Sequence, residues 1–145
     1  MHPILRVIVG VVAGIVVSFV IVAAVEICSI KIFPLPPGTN MMDPASVKAA
    51  MASVPDGARV LVVVGWFLGA AVGTFLATKI ARSAAQGAIV GAILLTMAVL
   101  DMRSFPHPAW MWGAAFAAYV TATMLGVRIG AAKGEAANPA ADART

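Results

Sequence analysis

The chain has 145 residues, which by length is one domain. Hydrophobic residues make up 61% and charged residues 11%, against about 45–50% and about 25% in soluble domains. The excess lies in long runs of Ala, Val, Ile, Leu, Met and Gly, which excludes a soluble globular domain and a disordered chain. With Cys28 as the single cysteine, a disulfide scaffold is excluded too.

The charges mark the membrane spans. Arg6 and Glu26 bracket the uncharged residues 7–25, Arg59 and Lys79 bracket 60–78, and Arg82 and Asp101 bracket 83–100. Arg103 and Arg128 bracket a fourth stretch, trimmed at its start by Pro106 and Pro108 because Pro suits helix starts rather than interiors. At about 1.5 Å per residue, such segments reach about 27–29 Å, close to the roughly 30 Å hydrocarbon core. They are apolar on every face, which a buried soluble bundle does not require. The expectation is an all-α membrane protein: a four-helix transmembrane bundle over residues 1–131, with spans at about 4–27, 58–80, 84–101 and 107–130. Residues 132–145 read as a disordered cytoplasmic tail. The first apolar run exceeds the core of a signal peptide, so it reads as a retained span.

With an even number of spans both termini share one side. That side carries Arg6, Lys79, Arg82, Arg128, Lys133 and Arg144, and the other carries Lys31, Lys48, Arg59 and Arg103. The positive-inside rule then places both termini in the cytoplasm of a bacterial inner membrane. The net charge of +4 is a topology signal, since no basic stripe interleaved with aromatics points to nucleic acid.

The loop after the first span opens with Phe33-Pro34-Leu35-Pro36-Pro37-Gly38, a stiff extended stretch. Asp43-Pro44 reads as an N-cap followed by Pro at the first helical position. Val47, Met51 and Val54 share one face of the short amphipathic helix that follows, which is expected at the outer surface or over the bundle, as a connector rather than a substrate lid. Trp110 and Trp112 sit where an interfacial aromatic belt belongs.

Small residues carry the packing code. Gly65, Gly69, Gly73 and Ala77 repeat every four residues in the second span, Gly10 and Gly14 with Ser18 do so in the first, and Gly87 and Gly91 in the third. Such grooves let helix backbones approach closely in lipid. At an offset of 49 the second-span series aligns with Ala114, Ala118, Ala122 and Gly126 of the fourth. The match suggests two tandem helical hairpins related by an axis along the membrane normal.

Chemistry-bearing residues are sparse. Glu26, Arg59, Asp101, Arg103 and His107 form a polar cluster at the level of the outer interface. They read as an ion-pair collar rather than a proton-linked pair, because proton relays penetrate the bilayer core. Met41, Met42, Met51, Met102 and Met111 fall at the same level as Cys28 and His107. Their spacing lacks the paired motifs of a copper site, so apolar packing is the better account and no metal or cofactor is expected. No nucleophile–base set, phosphate loop or dinucleotide fingerprint occurs, so no catalytic residues and no enzyme are expected.

The segments Leu35-Pro36-Pro37-Gly38-Thr39, Gly65-Trp66-Phe67-Leu68-Gly69-Ala70-Ala71-Val72-Gly73 and Pro106-His107-Pro108-Ala109-Trp110-Met111-Trp112 resemble those of small four-helix bacterial inner-membrane proteins with no assigned function. The resemblance spans roughly residues 1–130 and implies no catalytic or binding residues. Two functions follow from the residues. The leading one is a non-enzymatic accessory or scaffold subunit acting through glycine-groove packing, with the lipid bilayer and either further copies or a larger membrane complex as partners. The alternative is a small-solute or ion transporter or channel built from two hairpin repeats or an oligomer.

Overall fold

The computed structural model describes residues 2–40, 42–105 and 107–135. They form five helices and no strand: α1 (Pro3–Ile32), α2 (Pro44–Ala52), α3 (Asp56–Ala81), α4 (Ala84–Ser104) and α5 (Ala109–Glu135). All but α2 are long and apolar enough to cross a membrane, the make-up of a multi-pass membrane protein. α1 runs beyond its expected end, and α5 continues to Glu135, into the segment read as tail. Residues 136–145 of that tail lie outside the described residues.

The helix ends follow local chemistry. Asp43 caps α2 by accepting from Ala45 N–H at 3.0 Å, with Pro44 in the first turn. α3 stops at Arg82, which adopts the left-handed conformation at φ 55° and ψ 40°. Thr78 O accepts from the N–H groups of both Arg82 and Ser83 there, a closure that glycine usually performs.

α3 is the hub. It packs against α1, α4 and α5, α4 also touches α1 and α5, and among the described residues α1 makes no approach to α5. The larger core side chains are Trp66, Val90, Leu94, Met102, Met111 and Tyr119, with Ala70, Ala77, Ala115 and Ala122 between them. The outer faces are apolar as well: Ile8, Val12, Val16, Val20, Ile89, Ile93, Phe116 and Ile129 are exposed. That surface suits lipid rather than water.

α1 and α3 run antiparallel along the ladder of small residues. A Cβ on Gly14 would lie 2.7 Å from Gly73 O and 3.0 Å from Ala77 Cβ. On Gly10 it would lie 3.1 Å from Ala77 O, on Gly69 2.9 Å from Ser18 O, and on Gly65 3.1 Å from Val25 Cβ. Ser18 Oγ lies 2.8 Å from both Gly14 O and Gly69 O, so its single proton is shared between its own helix and the neighbour. Gly126 faces α3 at Thr74, Ala71 and Phe75, and Gly87 meets Thr78 and Val127. Gly91 meets Thr123. Ala118 and Ala122 are buried and Ala114 is half-buried.

The aligned grooves of α3 and α5 therefore serve different contacts. The α3 series faces α1, whereas its α5 counterpart Gly126 faces α3. Two equivalent hairpins would require α1–α3 and α4–α5 to pack alike, and would bring α1 to α5 wherever α4 meets α3. The second requirement is not met.

Candidate functional site

Two cavities lie toward the end of the helices that carries α2. The inner one, about 350 Å³, lies among α1, α3, α4 and α5, with Ser18, Phe19, Val22, Trp66, Leu94, Met97 and Tyr119 on its walls. The outer one, about 250 Å³, is lined by Phe33, Val47, Met51, Arg59, Phe105, His107 and Met111. Glu26 and Asp101 line both. The two chambers thus meet at a pair of carboxylates, one from α1 and one from α4.

Helix geometry sets the depth. Ser18 lies eight residues before Glu26 in α1, about 12 Å at 1.5 Å per residue. Arg6 lies about 30 Å from Glu26 by the same measure. The inner chamber therefore reaches from the carboxylates nearly to the middle of the span. Its volume falls in the range of small-molecule sites, about 300–1,000 Å³.

An aromatic column backs both chambers. Trp66 lies 6.5 Å from His107 and 6.0 Å from Tyr119 between ring centroids. Trp66 and Tyr119 are more than nine-tenths buried. His107 Nδ1 is 3.0 Å from Phe105 O. A carbonyl only accepts, so Nδ1–H donates to it and Nε2 is the ring nitrogen left for another partner.

The polar cluster expected from the sequence is partly assembled. Glu26, Asp101, His107 and Arg59 all line the outer chamber, while Arg103 is exposed and lines neither cavity. The expected ion-pair collar is corrected. Arg59 binds Asp56 at 2.8 Å, one helical turn away on its own helix, and donates to Met51 O at 3.2 Å. An i,i+3 partner on the same helix engages the guanidinium with no reach across the bundle. Among the described residues this is the sole salt bridge.

The apolar face of α2, with Val47 and Met51, roofs the outer chamber together with Val54. Yet no Cα of α2 comes within 8 Å of a long helix. Arg59 is its hydrogen-bonded tether. The methionines divide: Met51 and Met111 line the outer chamber, Met102 is buried in the core, Met42 is 91% exposed, and Met41 lies outside the described residues. Cys28 is exposed and lines neither cavity. No three His, Cys, Asp or Glu groups among the described residues are placed to hold a metal ion.

Trp66 and Tyr119 were the members of the site that the sequence did not single out. The available signal was position: Trp66 is an aromatic set well inside a glycine-spaced span, away from the interfacial belt of Trp110 and Trp112. No family model, curated protein or solved structure matches the chain.

Proposed function

We propose that this protein is a small carrier of the bacterial inner membrane, with both termini cytoplasmic and α2 on the outer side. It binds a small solute in the two-chambered cleft. The observation that carries this reading is the position of Glu26 and Asp101 on the walls of both chambers. Ionisable side chains that face a cavity within a membrane domain mark solute or ion pathways. The cleft lies toward the α2 end. At the other end small residues close the bundle, with Gly87, Gly126 and Gly130 in tight contact with α3. An outward-facing site with a closed inner end is one half of an alternating-access cycle.

The test is solid-supported-membrane electrophysiology on proteoliposomes. Pulses of amines, amino acids, sugars and carboxylic acids should include at least one that evokes a transient current. Glu26→Gln and Asp101→Asn should abolish that current while circular dichroism stays unchanged. Equal currents in wild type and both variants would refute the carboxylate-lined cleft as the pathway.

An accessory or scaffold subunit is the second reading. The α1–α3 glycine grooves that suggested it are filled from within the chain. What still favours it is a patch on α5, where Gly113 has nothing within 4 Å among the described residues and Trp110, Trp112 and Phe116 are exposed. The mass of the particle extracted gently from its native membrane decides this reading, since a stoichiometric second protein is its expected result.

A further inference from the structure

We infer that the solute is an organic monocation: an ammonium head held between Glu26 and Asp101, on an apolar body seated in the inner chamber against Trp66. This rests on the solute-site reading above and names its substrate class.

Charge balance comes first. Two carboxylates face one cleft whose inner walls are otherwise Phe19, Val22, Leu94 and Met97. A carboxylate on a cavity wall within a membrane domain pairs with a counter-charge. The groups that line the cleft with them are Arg59, His107 and Tyr119. Arg59 is held by Asp56 and Met51 O. Tyr119 offers a neutral hydroxyl. His107 supplies at most one positive charge. With both carboxylates ionised, a negative charge remains for a ligand to neutralise, and one cation matches it.

The donors then select the kind of cation. No metal-binding triad of His, Cys, Asp or Glu exists among the described residues, and the chamber below the carboxylates is hydrocarbon and aromatic. A hard inorganic ion takes six or more oxygens. An ammonium needs only two or three acceptors and gains from an aromatic face. Trp66 and Tyr119 provide that face, 5% and 6% exposed. Tyr119 also points to a ligand independently. Its side chain is buried on the chamber wall, and its hydroxyl makes no hydrogen bond among the described residues. That hydroxyl is not among the sealed polar atoms, so it is open to the chamber and available to a bound head group.

The experiment is scintillation-proximity binding of radiolabelled phenethylammonium to the full chain in nanodiscs, with empty nanodiscs as reference. Competitors are its neutral isostere 2-phenylethanol and sodium chloride. Saturable binding is expected, with 2-phenylethanol at least about tenfold weaker as a competitor and Glu26→Gln weakening binding by about tenfold or more. Asp101→Asn is the second variant, so the outcome stands even if one of the two misfolds. If 2-phenylethanol competes as well as the unlabelled ammonium, or both folded variants bind normally, the cation assignment is overturned while the solute cleft stands. Displacement by millimolar sodium would overturn the organic class. No saturable binding by the folded wild type would overturn the organic-cation assignment, and the current assay above decides the cleft reading on its own.

Discussion

Gly14→Ala should destabilise the protein, while Gly113→Ala should not. The new methyl at residue 14 would sit 2.7 Å from Gly73 O, where ordinary contact begins at 3.4 Å. α1 must therefore withdraw from α3 by about 0.7 Å at this crossing. Overpacking of this kind costs about 1–3 kcal/mol. The withdrawal also stretches the Ser18–Gly69 bond, and interhelical bonds of this type average about 0.6 kcal/mol. Replacing glycine in a helix returns up to about 1 kcal/mol of propensity. The net expectation is a loss of about 1–2 kcal/mol. Gly113 has nothing within 4 Å of its added Cβ among the described residues, so Gly113→Ala keeps the propensity gain alone. Equilibrium unfolding in mixed dodecylmaltoside and dodecylsulfate micelles, followed by circular dichroism, measures both. If the two variants unfold alike, the α1–α3 contact does not exist as described. If Gly14→Ala leaves monomer stability intact but abolishes an oligomer, the ladder joins separate chains.

Cys28 is the single cysteine and is exposed near the α2 end of α1, so a membrane-impermeant maleimide should label it in intact cells; labelling only after lysis would reverse the proposed orientation. Thr78 Oγ1 is buried with no hydrogen-bond partner among the described residues, so Thr78→Val should be neutral or stabilising by about 1 kcal/mol in the same unfolding assay. Ser18→Ala should cost about 0.5–1.5 kcal/mol there, because it removes a bond between helices. Arg59→Ala should release α2 from its tether to Met51 O, raising hydrogen exchange across Pro44–Ala52 by roughly five- to tenfold; unchanged exchange would show that Arg59 does not hold the roof.

The long helices were legible because hydrocarbon imposes a simple rule: about twenty apolar residues between charges. The α1–α3 seam was legible too, since Gly10, Gly14, Gly65, Gly69 and Gly73 recur at a spacing that keeps one face small. The partner of each groove was not. Spacing says that a backbone comes close and is silent on which one. Gly65 and Ala114 align in sequence, yet the α3 series meets α1 and the α5 series ends against α3. The carboxylates were visible as residues, but their surroundings depend on how Arg59 is used. A sequence shows Arg59 near Glu26 in level, and the structure has it bound to Asp56.

The same packing code also explains where the cleft lies. α4 carries its two glycines, Gly87 and Gly91, in its first two turns, and both make tight contacts, with Thr78 and Val127 and with Thr123. Beyond Gly91 the helix presents Leu94, Met97, Ala98 and Asp101 toward the interior, with no further glycine. Bulkier side chains hold backbones farther apart. α1 is meanwhile drawn onto α3 along its length, from Gly10 against Ala77 to Val25 against Gly65, and among the described residues α1 has no contact with α5 that would pull it sideways. The space between α1 and α4 must then widen toward Glu26 and Asp101. Replacing Leu94 by phenylalanine would add volume to a wall of the inner chamber and shrink it. In the phenethylammonium assay that change should weaken binding while both carboxylates remain in place. Unaltered affinity in a folded Leu94→Phe variant would mean that the inner chamber does not seat the ligand's apolar body.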